Sequence, residues 1–276
     1  MSGIDKYAVF GNPIKHSKSP VIHSAFARQC GRRLQYRAVL VKPDGFERAA
    51  QQFFEDGGAG LNITLPFKRE AFAFADRLSS RAQRAGAVNT LSLGKDGAIQ
   101  GENTDGIGLV RDMIANLGWA VQGLKVLIVG AGGAARGVLE PLLREKPQRL
   151  LVVNRTPEKA AALAHEFVDL GAISGGSYSL IGDESFDLII NASSAGLSGQ
   201  TPPLPGSVLN ERSCCYDMIY GSGPTAFMRW AAKNAAWAVA DGLGMLVEQA
   251  AQSFYIWQHQ LPETRPVIAQ VRESLA

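Results

Sequence analysis

The chain of 276 residues carries 28 Lys and Arg against 25 Asp and Glu, a formal charge of +3, with 46% hydrophobic and 19% charged residues. This supplies ample core for two soluble domains, whereas the charge is too slight, and too little interleaved with aromatics, for a nucleic-acid partner. Cys30, Cys214, Cys215 and the four scattered histidines show neither a disulfide framework nor metal-ligand spacing, and no secretory leader or bilayer-length apolar run is expected.

Tyr7-Ala8-Val9-Phe10 reads as a short strand stopped by Gly11-Asn12-Pro13. A helix is predicted from Val21 to about Cys30, with Ser19 as its N-cap and Pro20 at its first position. Capping accounts for Ser19 but leaves His16 and Ser17 unexplained. Two hydroxyls two residues apart beside a helix N-terminus also suit the carboxylate of a small ligand. Leu34 to Val41 alternates as a strand. Asp44 to Asp56 reads as a helix capped by Asp44 and ended by Gly57-Gly58.

In Gly60 to Leu65 the polar Asn62 and Thr64 leave one face of a strand, and Pro66 breaks the ladder. Lys68 then falls in the first turn of a helix reaching about Leu78. The helix dipole favours an anion there, and breaches of local rules cluster at functional sites. A short helix closes at Gly86. Ala87 to Leu93 and Ala98 to Gly101 form a hairpin about Lys95-Asp96-Gly97. Glu102-Asn103-Thr104-Asp105-Gly106 leads into a helix from Ile107 to Asn116, ended by Gly118, for which Asp105 is a sufficient N-cap.

Lys125 to Val129 runs into Gly130-Ala131-Gly132-Gly133-Ala134-Ala135 and a helical pattern through Leu143. Gly130, Gly132 and Ala135 fit the G-x-G-x-x-G/A spacing of a dinucleotide-binding turn, with phosphate on the free N–H groups of the helix. The next strand, Leu150 to Val153, ends in Asn154-Arg155-Thr156. Arg155 stands where an acidic residue would accept from a free ribose 2′-hydroxyl, and Lys159 follows one turn later. A guanidinium there pairs with a 2′-phosphate, so the expected cofactor is NADP(H) rather than NAD(H).

Phe186 to Ile190 is a buried strand ending in small residues through Gly196. Cys214 to Tyr220 is the next strand, followed by a loop at Gly221 to Pro224 and a helix to Asn234. The adjacent cysteines read as buried, reduced thiols. Ala236 to Ala240 is a last strand ending in Asp241-Gly242. Helices from Leu243 to His259 and from Pro266 to Leu275 are expected to return to the first domain. Met245 and Gln249 share a face of the first of these.

Taken together, these stretches resemble the shikimate dehydrogenases. The matching motifs are Gly11-Asn12-Pro13 with His16-Ser17-Lys18-Ser19-Pro20, Asn62 to Lys68, Gly86 to Thr90 and Gly101 to Gly106. Gly130 to Ala135 with Asn154-Arg155-Thr156, Tyr216 to Tyr220 and Asp241 to Leu246 complete them, in family order over almost the whole chain. The resemblance implies a two-domain α/β fold. An N-terminal mixed-sheet substrate domain (1–105) precedes a Rossmann-like, doubly wound NADP-binding domain (106–241), and C-terminal helices (242–276) pack on the first.

The implied activity is the reversible NADPH-dependent reduction of 3-dehydroshikimate to shikimate, on the route to chorismate and the aromatic amino acids. Lys68 would be the general acid/base and Asp105 its orienting partner, since hydride addition to a ketone builds charge on oxygen. The resemblance places Ser17 and Ser19 on the substrate carboxylate with Tyr220 near it, and Asn62, Thr64, Asn89 and Gln249 on the ring. It places Gly130, Ala131, Gly132, Gly133, Ala134, Asn154, Arg155, Thr156 and Lys159 on the cofactor, with Met218, Gly242 and Met245 at its nicotinamide end. A monomer or homodimer in the cytoplasm is implied, with small-molecule ligands, no membrane, no nucleic acid and no metal.

Two departures stand out. Ser80 replaces an acidic residue of many relatives, and Gly221-Ser222-Gly223-Pro224 lacks the usual proline just after Tyr220. Two other functions stay open: a quinate/shikimate dehydrogenase with broader substrate or NAD use, and a non-catalytic NADP(H)-binding sensor.

Overall fold

The computed structural model describes residues 4–275. In chain order its elements begin β1 (Asp5–Gly11), α1 (Ser19–Gln29), β2 (Leu34–Leu40), α2 (Phe46–Glu55), β3 (Gly58–Ile63) and α3 (Lys68–Phe74). Next are β4 (Arg77–Leu78), α4 (Ser80–Ala85), β5 (Thr90–Leu93), β6 (Ile99–Glu102), α5 (Asp105–Arg111), β7 (Lys125–Val129) and α6 (Gly133–Arg144). The rest are β8 (Arg149–Val153), α7 (Pro157–His165), β9 (Ile173–Gly176), β10 (Phe186–Asn191), β11 (Leu209–Asp217), α8 (Ala226–Lys233), β12 (Ala238–Ala240), α9 (Leu243–Gln258) and α10 (Arg265–Glu273). They form two compact units. One contains the chain up to Gly108 together with Val247–Ser274; the other is Leu109–Leu246.

The first unit is built on a mixed sheet of order β2-β1-β3-β5-β6-β4. β1 runs parallel to β2 and β3, whereas β3 and β5 are antiparallel, which sets Asn62 opposite Thr90. One core joins Phe10, Ile63 and Leu91 of the sheet to Phe46, Phe53, Phe67 and Ala71. Residues after Val247 complete the unit: the Trp257 indole donates to the Leu91 carbonyl at 3.1 Å and lies where a Cβ at Gly60 would come within 2.3 Å of it. Glycine at position 60 is therefore a packing requirement.

Several expected boundaries shift for physical reasons. Ser19 is the first residue of α1 rather than its cap; Lys18 holds that position, and the Ser19 N–H donates to Ser17 Oγ at 3.4 Å. α2 begins at Phe46 with Gly45, not Asp44, at its cap. α3 stops at Phe74 instead of Leu78 because Asp76 is drawn into the sheet. Its N–H donates to the Ile99 carbonyl and its Oδ2 accepts from the Ile99 N–H, and Arg77–Leu78 pair with β6. α4 closes at Gly86, in the left-handed conformation with φ +58° that glycine tolerates best.

The second unit has a fully parallel sheet of order β12-β11-β10-β7-β8-β9. The strand order reverses at the β7/β10 pair, the topological point at which doubly wound sheets bind ligands. Val126, Leu127, Ile128 and Val129 are all completely buried, as a central parallel strand with cores on both faces requires. Cys214 and Cys215 are free thiols in β11, pushed up to about 11 and about 12 chiefly by burial. β9 carries no sequence signal: Ile173-Ser174-Gly175-Gly176 has neither apolar alternation nor a β-branched run. Among the described residues, no helix is long and apolar enough to cross a membrane.

Candidate active site

The first unit brings Lys68, Asn89, Asp105 and Gln249 into one polar cluster. Lys68 opens α3 and Asp105 opens α5, so each leaves the start of a helix. Lys68 Nζ donates to Asp105 Oδ2 at 2.5 Å, the side chains being 30% and 14% exposed. The pair is thus sheltered yet reachable by a ligand. Asp105 does not cap α5; instead, its N–H donates to Asn103 Oδ1 at 3.1 Å, leaving the carboxylate for Lys68 and Asn89.

Asn89 holds this arrangement from below. Its Nδ2 donates to Asp105 Oδ1 at 2.8 Å and to Thr104 Oγ1 at 2.9 Å, and lies 3.3 Å from Gln249 Oε1. Its Oδ1 accepts from the Thr104 N–H at 2.9 Å. Glu102 pins the same segment. It accepts from Arg81 through both carboxylate oxygens, from Ser79 Oγ at 2.6 Å and from the Asn103 N–H at 2.8 Å. Asp105 is held separately, with Asn89 on one carboxylate oxygen and Lys68 on the other, which fixes it toward the ammonium.

Thr64, just beyond β3, has a half-buried hydroxyl with no hydrogen-bond partner among the described residues. The end of its strand packs tightly against Gly11, where a Cβ would lie 2.4 Å from Thr64 Cγ2. Ser17 and Ser19 stand at the entry to α1 as the spacing predicts. Asn62 is turned inward. Its Oδ1 accepts from Tyr36 Oη at 2.7 Å, and its Nδ2 lies 3.0 Å from Ser253 Oγ, 3.2 Å from Thr90 Oγ1 and 3.3 Å from the Asn89 carbonyl. Only 6% exposed, the amide is engaged inside the protein, because the β3/β5 register sets it opposite Thr90.

Sequence reasoning missed Thr104 and Ser253. Ser253 Oγ is 2.7 Å from Thr90 Oγ1 and lies one helical turn after Gln249. A polar residue at that i+4 spacing from Gln249 was the signal the sequence offered for it.

The second unit holds the residues expected to receive the nucleotide. Gly130 has φ +109°, and a Cβ there would come within 3.0 Å of the Ala192 and Ser193 backbone. Gly132 caps α6 without a side-chain hydrogen bond, and a Cβ at Gly132 or Gly133 would project into open space. A helix N-terminus left uncapped behind open glycines fits a pyrophosphate. Ala135 is completely buried, where helix packs on strand. After β8, Asn154 Nδ2 donates to the Thr156 carbonyl at 3.1 Å, shaping the turn. Arg155 and Lys159 are exposed and form no ion pair among the described residues, which fits a 2′-phosphate.

At the other end of the sheet, Asp217 ties the strand ends together. It accepts from Asn191 Nδ2 at 3.0 Å, from the Ile219 N–H at 3.2 Å and from Thr225 Oγ1 at 2.6 Å. Burial raises its carboxyl above the usual range, opposed by these hydrogen bonds. The Met218 carbonyl lies 2.3 Å from where a Cβ at Gly242 would sit, so the two backbones touch. Tyr220 follows in the same loop, its phenol raised by burial and then by the charge of Asp241.

Three family patterns match the chain. The shikimate dehydrogenase substrate binding domain covers residues 9–91, shikimate / quinate 5-dehydrogenase residues 113–196, and the shikimate 5′-dehydrogenase C-terminal domain residues 242–272. The NADP(+) shikimate dehydrogenase of Cellvibrio japonicus (strain Ueda107) is 54% identical over 98% of this chain and 98% of its own length. The chain belongs to the shikimate dehydrogenase family. Among solved structures of similar fold, an Ael1 enzyme from Pseudomonas putida is 46% identical, with a TM-score of 0.91 over 96% of this chain and 97% of that one. The shikimate 5-dehydrogenase of Thermus thermophilus, solved with NADP(H) and shikimate, is 32% identical, with a TM-score of 0.86 over 99% of this chain and 100% of its own. Both shikimate dehydrogenase domains expected from the sequence are thus present: a mixed-sheet unit and a Rossmann-like unit.

Proposed function

We propose that this chain catalyses the reversible, NADPH-dependent reduction of 3-dehydroshikimate to shikimate, in the cytoplasm, on the route to chorismate and the aromatic amino acids. The observation that carries the reading is the Lys68 ammonium held 2.5 Å from Asp105, with Asn89 bonded to the far oxygen of the same carboxylate. When bound, the reduced nicotinamide supplies a hydride to the ring carbonyl carbon. The carbonyl oxygen then needs a proton, and Lys68 Nζ is the donor that the pair presents. In the opposite direction Lys68 takes the hydroxyl proton back. Asp105 stabilises the resulting ammonium, and a proton shared along Nζ···Oδ2 serves both directions.

Ser17 and Ser19 hold the substrate carboxylate at the start of α1, with Tyr220 near it. Thr64, Asn89 and Gln249 hold the ring, and Asn62 acts by fixing β3 to β5. Gly130, Ala131, Gly132, Gly133 and Ala134 receive the pyrophosphate. Asn154, Arg155, Thr156 and Lys159 receive the 2′-phosphate, while Met218, Gly242 and Met245 flank the nicotinamide end.

The test is the absorbance of NADPH formed from shikimate and NADP by purified protein, with quinate and NAD as comparisons. Turnover with shikimate and NADP, well above either replacement, is expected; none at all would sink the reading. Lys68→Met should lower turnover by about 10²- to 10⁴-fold with little change in shikimate KM. Near-normal turnover in that variant would remove Lys68 from the chemistry.

A further inference from the structure

One buried cluster of the second unit has no part in the roles assigned so far. A dinucleotide lies along the carboxyl edge of a doubly wound sheet, with its halves on either side of the strand-order reversal. Here the reversal falls between β7 and β10, and Arg155 follows β8. The adenosine half therefore belongs to the β8 side, and the nicotinamide half to the ends of β10, β11 and β12. The first turn of α9, which follows β12, is part of that wall.

A helix leaves its first N–H groups without partners in the helix. In α9 the Leu243 N–H donates to Asp241 Oδ1 at 3.2 Å, an ordinary local cap. The Met245 N–H donates to Tyr216 Oη at 3.3 Å, a cap supplied by a different element. Tyr216 is completely buried in β11, and its hydroxyl donates to Asp112 Oδ2 at 2.7 Å. Asp112, 3% exposed, also accepts from Asn116 Nδ2 at 3.0 Å. Its backbone opens a π-helical turn, Asp112–Asn116, in which the Leu117 N–H reaches back to the Asp112 carbonyl at 3.0 Å. Such turns occur often at functional positions.

The carboxylate fits only because position 244 is glycine, where a Cβ would lie 1.9 Å from Asp112 Oδ1. Burial first, and then the facing Asp112 charge, hold the phenol well above its usual range, so it remains a donor.

We propose that Tyr216 is a positioning residue for the nicotinamide: clamped by Asp112, its hydroxyl caps α9 and sets Met245 and Gly242 where that ring is received. Neither Tyr216 nor Asp112 touches the cofactor. The effect runs through the backbone of the first turn of α9, and small misplacements at a reacting centre are costly. The inference rests on NADP being the cofactor.

The test compares two probes by calorimetry: NADPH, and adenosine 2′,5′-bisphosphate, which has the adenine, the ribose and the 2′-phosphate but no nicotinamide. In Tyr216→Phe, NADPH affinity should fall about fivefold with bisphosphate affinity unchanged, and kcat should fall about tenfold with shikimate KM within about twofold. Gly244→Ala displaces the Asp112 carboxylate from the other side and should give the same split, which keeps the proposal testable if Tyr216→Phe does not fold. An unchanged ratio of the two affinities, or a parallel loss of both, overturns the role of Tyr216. Wild-type protein that binds neither probe overturns the NADP reading itself, and this inference with it.

Discussion

Arg155 and Lys159 are the two exposed cations proposed to select the cofactor. Both lie beyond β8 without an ion partner among the described residues, so their charge is free for a ligand. Arg155→Ala should raise the NADP KM by about ten- to a hundredfold and leave the NAD KM nearly unchanged, as steady-state assays with each cofactor would show. His23 makes the opposite point, a polar group no ligand reaches. It is completely buried, its ring stacked 4.3 Å from that of Tyr36, and burial lowers it from 6.5 to about 3. The unfolded chain takes up a proton below pH 6.5 that the folded chain refuses, so this group's contribution to stability is complete above pH 6.5 and is lost as pH falls toward 3. Between pH 7 and pH 5 the loss should be about 2 kcal/mol in urea unfolding. His23→Phe, which keeps an aromatic ring, should remove that part of the slope. The sequence showed His23 as one scattered histidine, because desolvation depends on neighbours that the chain order does not reveal.

At the scale of elements, strands and helices with strong periodicity were legible, and edges were not. β9 was invisible because it is an edge strand selected by contact. A Cβ at Gly175 would lie 2.2 Å from the Ala160 carbonyl oxygen, so the α7 backbone rests directly on the strand. Gly175→Ala forces apart two backbones and should destabilise the second unit by about 2–3 kcal/mol in chemical denaturation. An unchanged midpoint would show that α7 can shift freely. The early end of α3 has the same origin. Nothing in Ala75-Asp76-Arg77-Leu78 forbids a helix, and the bonds from Asp76 to Ile99 exist only once β6 is in place.

For the whole molecule, the expectation that the closing helices serve the first domain can be tested directly. Val247–Ser274 supply the first unit with Gln249, Ser253, Phe254 and Trp257, and Phe254 packs edge-on to Phe26 with ring centroids 5.8 Å apart. A chain ending at Leu246 should lose a stable first unit. Limited proteolysis with mass analysis should then leave a resistant fragment beginning near Leu109, whereas resistance across the whole shortened chain would refute the assignment.

The sequence by itself determined what depends on residues close together in the chain: the strand–glycine turn–helix from Lys125 to Leu143, the basic pair after β8, and the family membership. A turn, a helix N-terminus and a nearby charge need only each other, so their spacing is their geometry. Tertiary structure alone decided that Lys68 meets Asp105 across 37 residues of chain, that Asn62 is bonded to Tyr36, Thr90 and Ser253, and that Tyr216, clamped by Asp112, caps a helix. These are buried hydrogen bonds between distant segments, and which partners meet is set by sheet register and helix packing.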